Sequence, residues 1–227
     1  MKRLLALGML LSAFVARPAD ACIREMAVHD VGPNPAAEVA STDTLLENGK
    51  SNASVIATLA KSFPALKSAP ADPGQPLRNH ALRNAALAVA RSKGAVNGMG
   101  FKASETTTNL AWAAATMRAL FALRPNDASL EADVAEVLAK SGSTKDEAFT
   151  RLTALAEKDL IGSPQALAEL TRLRKDRGDT DGAKASFEKC RSMTTPAQAS
   201  VCGESPVAKP VPAKPSAATA PRTPSRS

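Results

Sequence analysis

With 227 residues, 44% apolar and 22% charged, the chain has enough material for a packed core and too low a charge density for disorder along its whole length. Aromatic residues make up 3%, whereas 46 alanines supply about a fifth of the chain, which disfavours a β-sandwich and favours closely packed helices. Of the formal net charge of +7, +2 falls in residues 1–21 and +3 in residues 204–227, leaving +2 for residues 22–203. That middle segment has no basic run with aromatics between the charges, so nucleic-acid binding is excluded as an expectation.

The first residues set Lys2 and Arg3 before an apolar run from Leu4 to Val15, and small residues follow at Ala19 and Ala21. This is the pattern of a bacterial secretory signal cut before Cys22. The apolar run is short of the roughly 20 residues needed to span a bilayer. Release into the periplasm, or secretion, is the expectation. The alternative is a lipid anchor on Cys22, although Pro18-Ala19-Asp20-Ala21 matches a lipidation site poorly.

Eight helices are predicted from about Pro35 to Met193, at 36–47, 52–63, 77–93, 107–123, 129–140, 145–159, 164–176 and 181–192. Gly49 and Gly94 stop the first and third. Ser143 with Asp146 reads as a capping box for the sixth, and Ser163-Pro164 as a cap followed by a first-turn proline for the seventh. Residues 204–227 contain six prolines among Ala, Lys and Ser, the composition of a disordered, extended arm. Its cations would suit a weak tether to anionic envelope polymers.

A period of 35 runs through the second helices of successive pairs. Ala113, Ala148 and Ala183 are in register, as are Met117, Leu152 and Phe187, and Leu120, Leu155 and Cys190. Spacings of four and then three place each trio on one helical face. Residues 178–189, with Gly178-Asp179 before a helix carrying Ala183 and Phe187, resemble the second half of a tetratricopeptide repeat (TPR). Leu123-Arg124-Pro125-Asn126 is similar to the boundary that closes such a repeat. The first helices depart from the pattern, because 164–177 lacks its Trp, Leu-Gly pair and Tyr and uses Leu167, Leu170 and Leu173 instead. The resemblance implies an all-α array of about four helical hairpins over 22–203, acting as a binding module.

Other motifs carry little chemistry. Gly49-Lys50-Ser51 ends like a P-loop, but Thr44 stands where its first glycine belongs. Gly98-Met99-Gly100 lacks the third glycine and the preceding strand of a dinucleotide fingerprint. His80 is expected on a polar helix face, and His29 with Asp30 and Cys22 matches no zinc spacing. No catalytic residue, metal ligand or cofactor is therefore assigned. Cys190 and Cys202 form a candidate disulfide, with Cys22 as a competing partner.

The resulting expectation is a non-enzymatic scaffold of the bacterial envelope. It would bind a peptide or protein segment in a concave groove lined by the first helices, with Arg172 and Lys175 as candidate contacts for an acidic group. The alternative is a small-ligand or enzymatic domain using the N-terminal region, His80 and the 94–105 loop.

Overall fold

The computed structural model describes residues 32, 34–49 and 51–206. The expected signal segment, Cys22, His29 and the tail beyond residue 206 lie outside the described residues. Within them the protein is all-helical. The eight α helices are α1 (Pro35–Glu47), α2 (Asn52–Ser62), α3 (Pro76–Arg91), α4 (Thr106–Leu123), α5 (Ala128–Leu138), α6 (Lys145–Glu157), α7 (Pro164–Asp176) and α8 (Thr180–Met193). Short 3-10 turns occupy Leu66–Ser68, Gly142–Thr144 and Pro196–Cys202. Among the described residues no helix is long and apolar enough to cross a membrane.

Side-chain caps fix several starts by accepting otherwise unpaired first-turn amides. Asn34 accepts from Ala37 N, Asp127 from Leu130 N, Ser163 from Ala166 N and Asp179 from Gly182 N. The expected Ser143–Asp146 capping box does not form. Ser143 lies inside the 3-10 turn, and the chain enters α6 through Thr144, whose hydroxyl turns back to donate to Leu138 O at 2.6 Å. Asp146 pairs instead with Arg177, just past α7.

Gly94 ends the α3 turn with φ +81°, and its amide donates to Val89 O at 2.8 Å. A Cβ there would lie 2.3 Å from Thr106 O, so the start of α4 sits directly against the glycine. Asn109 of α4 secures the same junction, its amide donating to Gly94 O and Lys102 O.

Consecutive helices pack in pairs. In the last pair, Arg174 near the end of α7 bonds Gly182 O and Ser186 at the start of α8, while Cys190 near the end of α8 lies against Pro164 O at the start of α7. The two helices are therefore antiparallel. The first helix of each later pair also packs on the pair before it: α3 on α1 and α2, α5 on α3 and α4, and α7 on α5 and α6.

This arrangement explains the composition. Helices α3 and α5 are enclosed by neighbours, and Ala85 to Ala90 and Leu130 with Ala132 to Leu138 are buried with hardly a break. A helix buried all round needs apolar residues on every face, and alanine lets several neighbours approach closely. The period-35 residues all face inward. Ala113, Ala148, Ala183, Met117, Leu152, Leu120, Leu155 and Cys190 are buried, and Phe187 is half-buried against the core.

Candidate binding groove

Three clefts lie along the first helices, with volumes of about 460, 390 and 260 Å³. Arg83 and Ser129 line both the first and the second; Arg91 and Gln165 line both the second and the third. Successive clefts thus share lining residues and follow one another along α1, α3, α5 and α7, and the three are taken together as a groove. At its first end, Leu120, Leu123 and Leu130 provide apolar surface beside His80 and Arg124. The middle and far end mix charged and amide groups with apolar ones such as Leu46, Leu87 and Met193.

The floor of the groove is a ladder of charged and amide groups, each rung joining one first helix to the next. Asp43 of α1 accepts from Asn84 Nδ2 at 2.8 Å, and His80 Nε2 lies 2.9 Å from the same oxygen. Arg83 of α3 donates through Nε to Asp133 of α5 at 2.6 Å. Arg91 makes two parallel bonds to Glu136, at 2.7 and 2.9 Å, and a third to Leu46 O of α1 at 3.0 Å. Lys140, just past α5, pairs with Glu169 of α7.

Asp133, Glu136 and Glu169 are buried, so unpaired charge there would be costly. Burial pushes the Asp133 carboxyl above its ordinary range, and Arg83 only partly offsets this. For Arg91, burial acts to lower the pKa, but the charge and hydrogen bonds of Glu136 outweigh it and the net shift is upward. Arg91 is thus held in its charged form. Such mutually held side chains give the groove a fixed pattern of donors and acceptors.

Arg172 and Lys175 lie toward the C-terminal end of α7, on the helical stripe that carries Gln165 and Ala168 at the groove wall. The Arg172 guanidinium is engaged within the protein, donating to Glu169 at 3.0 Å, to Asp176 at 3.1 Å and to Ala139 O at 2.8 Å. Lys175 is exposed. Arg172 therefore works as a brace between α5 and α7, and Lys175 is the cation that faces solvent.

Cys190 and Cys202 are joined by a disulfide that ties the last 3-10 turn to α8. His80 is held by Asp43 in the groove. The 94–105 loop is held elsewhere: Lys67 Nζ donates to Gly100 O, the buried Phe101 packs edge-on against Trp112, and Trp112 Nε1 donates to Lys67 O.

The rungs of the ladder escaped the sequence reading. Their trace is nonetheless visible: Asp133 and Glu136 are the acids in the otherwise apolar run from Ala132 to Ala139, and Arg83 and Arg91 are eight residues apart on α3. An acid amid residues patterned for burial signals a buried ion pair.

No family model matches this chain, and no match is found among curated proteins or solved structures.

Proposed function

We propose that the protein is a non-enzymatic interaction module of the bacterial cell envelope, a TPR-like array of about four helical hairpins that binds a peptide or protein segment in the groove along its first helices. The observation that carries this reading is the succession of clefts along α1, α3, α5 and α7. Two further features support a repeat array. Each later hairpin packs through its first helix on both helices of the one before, as stacked repeats require. The period-35 columns fall on buried positions in α4, α6 and α8, with Phe187 half-buried against the core.

The groove suits a polypeptide better than a small molecule. It is long and open, lined by polar and apolar groups together, with the exposed Leu123 at one end. An extended segment can exchange main-chain hydrogen bonds along such a surface while one apolar side chain anchors it. Export rests on the signal-like residues 1–21, and the proline-rich residues 204–227 would act as a spacer or a weak tether to anionic polymers.

The test is crosslinked capture from an envelope fraction, comparing the full chain with one ending at residue 203 and with a groove-filling Ser129→Trp variant. The same partner recovered by the first two and lost with the third supports the reading. Capture that disappears with the tail and survives Ser129→Trp contradicts it.

A further inference from the structure

Part of the groove wall at one end is supplied by the chain that follows α8. After α8 the chain turns at Thr194 and Thr195, and residues Pro196–Cys202 run as a 3-10 segment that reaches the opposite end of the helical array. Gln198 Nε2 donates to Glu47 O at the end of α1 at 2.8 Å, a contact between residues 151 apart in sequence. Val201 sits against Gly49, where an added Cβ would lie 3.7 Å from its Cγ2. Gln198 lines the middle cleft and Val201 the far one. The segment thus bridges α8 and the α1–α2 turn across the groove.

Its own hold is slight. Pro196 and Ser200 are exposed, Gln198, Ala199 and Val201 half-buried, and Cys202 buried. Besides the Gln198 bond to α1, it packs against α7 and α8, with a long bond from Arg191 to Ala199 O at 3.4 Å. The covalent tie is the Cys190–Cys202 disulfide, which closes the 12-residue separation into a loop with Gln198 near its tip. Without that bond, the few contacts would have to offset the ordering of the whole segment.

We propose that residues 196–202 are an autoinhibitory strap: a disulfide-closed loop that occupies the α1–α7 end of the groove and vacates it when the Cys190–Cys202 bond is broken. This inference rests on the groove being a binding surface. The reductant is a dithiol of the oxidoreductase or small-molecule class. One of its thiolates attacks Cys202 Sγ, and Cys190 departs as a thiolate that takes up a proton. The second thiol of the dithiol then displaces Cys202, which takes up the other proton. Two protein thiols form and the dithiol becomes a disulfide.

The test is amide hydrogen exchange on the full chain, comparing the disulfide-bonded protein with the Cys190→Ser/Cys202→Ser double variant and with a chain ending at Thr195. The expected result is exchange at least tenfold faster at residues 196–202 in the double variant. In both altered chains residues 46–49 should also speed up at least tenfold, while residues 81–90 and 132–138 keep their protection. Undiminished protection of 196–202 in the double variant would overturn the proposal, because the segment would be held by its own contacts. Loss of protection at 81–90 in either chain would also overturn it, because the segment would be part of the core. No partner enters this experiment, so its failure is distinct from failure of the capture experiment.

Discussion

The Arg91 guanidinium and the Glu136 carboxylate meet side by side, Nε to Oε1 at 2.7 Å and Nη2 to Oε2 at 2.9 Å, and the remaining Arg91 nitrogen reaches Leu46 O. One arginine thereby fastens α1, α3 and α5 together beneath the groove. Glu136 is 1% exposed, so removing it strands a buried cation. Glu136→Ala is expected to cost about 3–5 kcal/mol, measured by urea denaturation. Arg91→Met with Glu136→Leu, which removes both charges, should cost much less than the single change.

Asp133 and Glu147 should give opposite pH dependences. The folded-state pKa of Asp133 is raised, by burial first, so its stability contribution is greatest at low pH and falls as pH rises from the unfolded carboxyl value, near 4, through the raised one. Glu147 is lowered, first by its hydrogen bond from Arg118, so its contribution is present above the unfolded value and is lost as pH falls through the folded one. Thermal melts between pH 3 and pH 7 should therefore show wild type losing ground to Asp133→Asn as pH rises. Over the same interval it should gain ground on Glu147→Gln.

The α3–α4 junction has no room for a side chain at residue 94. Gly94→Ala would set a Cβ against the Thr106 carbonyl and strain a backbone at φ +81°. The expected loss is about 2–3 kcal/mol, in the range for strain at a positive-φ site combined with overpacking, and thermal unfolding would read it. Gly142→Ala meets nothing within 4 Å and should be nearly neutral.

Close helix packing makes a similar prediction at Ala88, which is fully buried in α3 between neighbouring helices. Ala88→Leu inserts three carbons where none fit and should destabilise by about 1–3 kcal/mol. The same change at the exposed Ala185 of α8 should shift stability by no more than about 0.5 kcal/mol.

The helices were legible because their signals are local. Asn34, Asp127, Ser163 and Asp179 cap in the structure, and Gly49 and Gly94 end their helices at positive φ, so most boundaries fall within one or two residues of those read from sequence. Ser143 failed because Ser, Gly and Thr in succession support either a cap or a 3-10 turn, and the carbonyl of Leu138 drew the Thr144 hydroxyl. The groove was harder. Its ladder depends on which residues of α1, α3 and α5 face one another, and a spacing of 41 to 50 residues between Asp43 and Asn84 or Arg83 and Asp133 carries no local mark. Arg172 was visible as a charged residue, but its three internal acceptors were not. The reach of Gln198 to Glu47 depends on the placement of the seven helices between them.

Site-specific photocrosslinking distinguishes the groove along the first helices, proposed as the binding surface, from the rest of the molecule. A photoreactive residue at Ser129, exposed at the groove wall, is compared with one at Lys184, exposed on α8, in cells expressing the full chain. The account predicts a discrete crosslinked polypeptide from position 129 that is absent from position 184 and persists when the chain ends at residue 203. Equal crosslinking from both positions, or none from 129 in chains with or without the strap disulfide, would contradict it.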